Sequence, residues 1–218
     1  PKATETILEI DLNALDHNYQ YLVSKLDPNT KVLAVVKAFG YGSDASEIAK
    51  ELVTLGVDYF AVAYANEGVA LRKAGIELPI LVLHPLPANF EEIIEHCLEP
   101  SIYSQKMLSE FIHFAETQEL KEYPIHLKFN TGLNRLGFVE NDVSWIWEQL
   151  SETTSVKVKS IFSHLAASED LSEADFTKKQ LKSFGNIASS LIQQLGYKPM
   201  LHASNTSGII NYPEAHQP

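Results

Sequence analysis

The sequence predicts an α/β fold: a barrel of parallel strands, each followed by a helix. Three observations predict it. Strand and helix patterns alternate along almost the whole chain. The strands read as short apolar runs, as in residues 32–36, 59–64 and 79–83, the kind buried on both faces in parallel sheets. Polar residues stand out of character at the strand ends: Lys37, His84, Lys128, His164 and Asn205. In a barrel all the C-terminal strand ends meet at one mouth, where the chemistry of that fold is built. An open doubly wound sheet also fits the alternation, but no G-x-G-x-x-G follows any strand, so the barrel is preferred.

In chain order, residues 7–12 alternate apolar and acidic and read as a strand with one wet face. Asn13 is placed to cap a helix on which Leu15, Tyr19, Leu22 and Leu26 recur, broken by Pro28-Asn29. The strand at 32–36 leads to Lys37. Past Tyr41, Asp44 caps a helix with the apolar stripe Ile48, Leu52, Val53 and Leu55, closed by Gly56. Strands at 59–64, 79–84, 101–103, 125–129, 156–165 and 200–204 then alternate with helices at 65–73, 88–97, 105–117, 142–150 and 174–195.

Bulk composition narrows the classes. The 218 residues are 45% hydrophobic, enough for a sizeable core. A net charge of −11 argues against nucleic acid and anionic membrane as partners. The one cysteine, Cys97, rules out an internal disulfide and a cysteine metal cluster; no metal is expected. No apolar run approaches a membrane span, and the first residues carry no signal-peptide pattern, so a cytoplasmic location is expected.

Lys37 draws the chemistry. An ammonium at the end of a buried strand is disfavoured by desolvation, which lowers its pKa and makes it the nucleophile that Schiff-base formation needs. Gly40 and Gly42 let the backbone turn sharply beside it, with Tyr41 between. Taken by residue type alone, such a lysine more often just reaches solvent.

Four segments together resemble the alanine racemases. Residues 35–42, VVKAFGYG, resemble the family's cofactor-attachment segment, with Phe39 where Asn or Asp is usual and Ser43-Asp44 in place of His-Gly. Residues 126–138, HLKFNTGLNRLGF, resemble K-x-D-T-G-x-x-R-x-G, with Asn130 for the usual aspartate. The histidine of Ile161-Phe162-Ser163-His164 and the segment His202-Ala203-Ser204-Asn205-Thr206 follow in the family order, with Thr206 for serine. The resemblance implies the TIM-type (β/α)8 barrel of the family's N-terminal domain and pyridoxal 5'-phosphate as cofactor. It makes Lys37 the covalent attachment point and a catalytic base. Arg135 would bond the cofactor's phenolic oxygen and approach the substrate carboxylate, with Lys128 bracing it, carbamylated in many members. His164 would lie by the pyridine ring, Leu83 would line the pocket, and Tyr41, Asn205 and Thr206 would hold the phosphate. His84 stands where a small residue is usual and has no implied role. Phe176, Gln180 and Phe184 also match the family's helix spacing, though such spacing usually means core packing.

The same resemblance resolves a count of strands. Eight are predicted, but in the family the first, here 7–12, packs with a C-terminal β-domain. That leaves residues 1–30 as a leading strand and helix, and 31–218 as a barrel domain of seven strands lacking its eighth, with the β-domain absent from the chain. The expected activity is interconversion of L- and D-alanine for peptidoglycan precursors, by a homodimer, the fragment alone being inactive. Alternatives are a non-catalytic barrel that carries the vitamin in cofactor homeostasis, a racemase of broader specificity or a decarboxylase-type barrel, and an interaction module. The first lacks the T-G-x-x-R-x-G segment seen here, and the last has no need of a lysine, an arginine and a histidine at successive strand ends.

Overall fold

The computed structural model describes residues 6–216. Seven parallel strands form one sheet in sequence order. They are β1 (Leu33–Val35), β2 (Tyr59–Val62), β3 (Ile80–Val82), β4 (Glu99–Ile102), β5 (Tyr123–Lys128), β6 (Val156–Phe162) and β7 (Met200–His202). Before them lies α1 (Leu12–Val23). Between and after them come α2 (Ala45–Thr54), α3 (Ala65–Lys73), α4 (Phe90–Glu95), α5 (Gln105–Thr117), α6 (Val143–Ser151), α7 (Ala174–Leu195) and α8 (Thr206–Asn211). Strict neighbour-to-neighbour order with a helix in every connection is the topology of a barrel wall, so every strand's C-terminal end lies at the same rim. β1 and β7 are the two edges, and among the described residues no strand joins them.

One expected element differs. Ile7 to Asp11 form no strand, and Leu12 already belongs to α1. A strand exists only by pairing, and nothing described lies against this segment: Ile7 and Leu8 are 62% and 67% exposed. The cap also moves two residues back, since the Asp11 carboxylate accepts from the backbone N–H groups of Asn13 and Ala14 at 2.9 and 3.2 Å.

The core lies in two places. The larger cluster fills the space between strands and helices, with Phe60, Val62, Ile80, Val82, Ile125, Leu127 and Ile161 facing outward. On the opposite face of the strands, Tyr59, Ala61, Leu81 and Phe162 form a smaller cluster with Leu33, Leu83 and Met200. The runs that look uniformly apolar therefore alternate between two environments. Where β5 meets β6 the register slips, Ile125 pairing with Val158 but His126 with Ser160. The extra residue, Lys159, reverses the phase of β6, so Ser160 and Phe162 join the inner face while Val156 and Val158 pack outward.

Candidate active site at the strand C-termini

Lys37 stands directly beyond β1. Val36 still bonds across to β2, its N–H to Ala61 O at 2.9 Å, so the lysine is launched from a fixed point. From Ala38 the backbone turns left-handed, with φ of 52°, 55°, 63°, 57° and 92° at Ala38, Phe39, Gly40, Tyr41 and Gly42. For residues with a Cβ this costs roughly 1–2 kcal/mol each, so the turn must be held from outside. Glu67, in the first turn of α3, holds it. One carboxylate oxygen accepts from Ala38 N–H at 2.7 Å, the other from Ala63 and Tyr64 N–H at 2.6 and 3.1 Å. Sequence reasoning missed Glu67; the signal available was an acid among the orphan donors of a helix start.

Arg135 lies on the loop after β5. Asn130 organises that loop, its Oδ1 accepting from Gly132 and Asn134 N–H at 3.1 and 2.9 Å, its Nδ2 donating to Asn134 Oδ1 at 3.0 Å. The first two bonds need only an acceptor, so an aspartate would serve as well. The third needs the amide, which accounts locally for asparagine here. Gly137 brings the loop back so closely that Phe138 and Lys128 exchange backbone bonds with their neighbours, Asn130 N–H to Phe138 O at 2.8 Å and Phe138 N–H to Lys128 O at 2.9 Å. The arginine itself is exposed and forms no ion pair among the described residues; the pairing with Glu140 that a surface arginine would be expected to make is not formed.

Gln180 ties this loop to the next. Its buried amide donates toward Thr131 Oγ1 and His164 O, both at 3.4 Å, and its Oε1 accepts from Ala166 N–H at 3.0 Å. Thr131 and Ser163 share a further hydroxyl bond at 2.8 Å. Gln180 is therefore a link between the Arg135 and His164 loops rather than simple packing, while Phe176 closes over Gly132, where a Cβ would come within 2.9 Å of its ring.

Lys37, His84, Lys128, Arg135 and His164 form one electrostatic group. Burial, then the charges of Arg135 and Lys37, push Lys128 down to about 8. Burial, followed by the charges of these same cations, lowers His84 and His164 as well. Lys128 is buried, has no hydrogen-bond partner among the described residues, and lies 5.8 Å over the Phe162 ring. A set of cations this crowded, in a chain of net charge −11, is complementary to an anionic ligand. Leu83 lies in the inner cluster below them. Asn205 caps α8, accepting from Gly208 N–H at 2.9 Å and from Ser168 Oγ at 2.7 Å, and the exposed Thr206 is the first residue of the helix. Tyr41 sits on the left-handed turn, 67% exposed.

Lys128 has a measurable consequence for stability. Its folded pKa lies below the ordinary lysine value, so between pH 8 and 10 the unfolded chain binds more protons than the folded one. Stability attributable to this residue therefore rises with pH across that window. The expected result is a urea midpoint that climbs relative to that of Lys128→Met between about pH 7.5 and 9.5, below the range where tyrosines titrate. Parallel pH dependence of the two proteins would show that the amine is not desolvated.

A wall of parallel strands with an amine, a guanidinium and imidazoles gathered at its C-terminal rim defines the class: a parallel α/β barrel wall with a cationic rim. The comparisons with known proteins specify it further. Residues 10–217 match the model of the alanine racemase N-terminal domain, and the chain belongs to that family. It is 38% identical over 210 residues to alanine racemase 2 of Clostridium acetobutylicum, covering 95% of this chain and 52% of that protein. It is 36% identical over 211 residues to the alanine racemase of Thermodesulfovibrio yellowstonii, covering 95% and 55%. Among solved structures, the Clostridium difficile 630 alanine racemase in complex with cycloserine matches with a TM-score of 0.86 at 29% identity, covering 94% of this chain and 57% of that one. The enzyme from the D-cycloserine producer Streptomyces lavendulae gives 0.87 at 27%, covering 95% and 55%. The chain thus spans about half the length of the relatives it matches, and its seven strands correspond to their barrel without the eighth.

Proposed function

We propose that the chain is the cofactor-binding barrel of a pyridoxal 5'-phosphate-dependent alanine racemase. What supports this reading is the convergence of Lys37, Lys128, Arg135 and His164 on one rim that also holds the start of α8. The residues fit the cofactor: a strand-end amine for its carbonyl carbon, a cationic rim for its anionic groups, and a helix start beside Asn205 and Thr206 for a phosphate. When bound, the cofactor supplies an electron-withdrawing ring that stabilises negative charge at the substrate Cα.

The chain's own residues do the rest. Lys37 Nζ holds the cofactor and moves a proton on one face of the substrate Cα. Arg135 binds and orients the substrate carboxylate, a task suited to the planar guanidinium fork. Lys128 positions Arg135 from below; its lowered pKa leaves a substantial fraction of neutral amine at physiological pH, the form that carbamylation requires. His164 and Leu83 bound the ring, and Tyr41, Asn205 and Thr206 hold the phosphate. Racemisation needs a second base on the opposite face, which we assign to the C-terminal domain of the partner subunit in a homodimer of the whole protein. D-Alanine made this way would serve cell-wall precursors in the cytoplasm. Among the described residues no helix is long and apolar enough to cross a membrane.

Incubation with pyridoxal 5'-phosphate, borohydride reduction and peptide mass mapping tests the reading. The expected product is a single reduced adduct on Lys37, without enzyme-like turnover of alanine by the 218-residue chain alone. An unmodified Lys37 would overturn the proposal, and turnover at an ordinary enzyme rate would overturn the assignment of the second base to the C-terminal domain.

A further inference from the structure

Away from the rim, the inner face of the barrel carries a row of polar side chains that the proposed reaction does not use. Glu99 at the start of β4 accepts from Tyr59 OH and, at 2.6 Å, from His126 Nε2. His126 Nδ1 meets Ser160 Oγ at 2.6 Å, and Ser160 Oγ meets His202 Nε2 at 3.1 Å. His126 and Ser160 are at most 1% exposed, so each bond is made in a water-poor interior where an unmatched donor or acceptor is costly. The His202 ring stacks flat on Phe162, with centroids 4.8 Å apart and an interplanar angle of 4°, which leaves it little freedom to turn.

Each link in this row needs one proton and one lone pair, and Ser160 has a single proton to give. That constraint propagates. An ionised Glu99 can only accept, so the proton of a neutral His126 sits on Nε2 and its Nδ1 is bare. Ser160 must then donate to His126, and its oxygen accepts from His202. The proton of His202 is thereby placed on Nε2 and Nδ1 is left as an acceptor. A ring nitrogen's protonation is set by the bond its companion makes, and here that rule is applied at two rings in series, with the Ser160 hydroxyl between them.

We propose that Glu99 is a positioning residue that fixes the tautomer of His202, acting through His126 and Ser160 across four adjacent strands. The direction of the relay follows from the charge of Glu99. Buried though it is, the carboxyl is held below its usual range by the hydrogen bonds that His126 and Tyr59 donate to it and by the nearby Lys159. Burial keeps His202 neutral, lowering it to about 3, so it has two tautomers to choose between. His202 ends β7, three residues before the Asn205 cap, and lines a cavity of about 110 Å³ with Leu33, Tyr59, His126 and Met200, between the edge strands. The relay therefore offers a hydrogen-bond acceptor to any N–H or O–H group that enters this seam. It does not depend on the cofactor, and it can fail or hold independently of the racemase reading.

The test is long-range ¹H–¹⁵N NMR of the histidine-labelled 218-residue chain at mildly alkaline pH, which distinguishes protonated from bare ring nitrogens. The expected wild-type pattern for His202 is one dominant form, with Nε2 protonated and Nδ1 bare. Glu99→Gln, whose amide can turn either an acceptor or a donor to His126, should give a mixture of both forms. Ser160→Ala removes the joint, so that adding Glu99→Gln to it should leave His202 unchanged, whereas Ser160→Thr restores the coupling. A wild-type His202 protonated on Nδ1 overturns the proposal, even if Glu99→Gln does not fold. So does a Glu99→Gln effect that is absent, or that is equally large with and without Ser160.

Discussion

Lys37→Ala should abolish covalent capture of pyridoxal 5'-phosphate: no reducible adduct at any site, and in an assembled racemase a loss of turnover on the order of 10²–10⁴-fold or more. The loss should not come from unfolding. Lys37 is only partly buried and its side chain forms no hydrogen bond among the described residues, and its charge is one of two that depress Lys128. Removing it relieves repulsion at the rim, so the variant should melt no lower than wild type while the Lys128 pKa rises. Lys37→Arg is the sharper comparison, because it keeps the positive charge yet cannot form the covalent bond. An adduct that survives in Lys37→Ala and maps to Lys128 would transfer the attachment role to that residue and leave the assignment of Lys37 without support.

Gly137→Ala should be the most damaging single methyl addition on the Arg135 loop. A Cβ there would sit 2.5 Å from Asn130 N and 2.6 Å from Phe129 C, and the residue's φ is 137°. The obstruction is backbone, which cannot rotate away as a side-chain tip could. Overpacking and a forced left-handed φ each cost about 1–3 kcal/mol, so a loss of about 2–6 kcal/mol is expected, read as a fall in the urea midpoint. Gly42→Ala is the control: φ is 92°, but nothing lies within 4 Å of a Cβ, so only the conformational part of the cost applies. Equal destabilisation by the two substitutions would mean that the loop is not closed as tightly as the Asn130–Phe138 bonding requires.

The fold was legible because parallel strands that alternate with helices leave few topologies, and because each strand's apolar core lies where its run does. The rim residues were legible for a related reason. Lys128 and His164 are polar groups at strand ends, and strand direction alone sends them to the same place. What could not be read was anything decided by a partner distant in sequence. The alternation of residues 7–12 is a good strand pattern with nothing described to pair with. Glu67 looks like an ordinary acid at a helix start, and only the folded backbone brings Ala38 N–H to it. Gln180 and Phe176 share one helical stripe, yet one bridges two loops while the other packs, a difference set by the loops and not by the spacing. The Glu99–His126–Ser160–His202 row was hidden by the β6 register slip, since regular alternation would have turned Ser160 toward the helices.

The left-handed turn after Lys37 has a bearing on when this protein becomes reactive. Three of its five positive-φ residues carry a Cβ, so an L-polypeptide does not favour this turn on its own. The loop takes shape once β2 and α3, synthesised later, arrive with Glu67 to clasp it. On the reading proposed above, the backbone setting of the Lys37 amine is thus completed by the second βα unit and not by the strand that carries it.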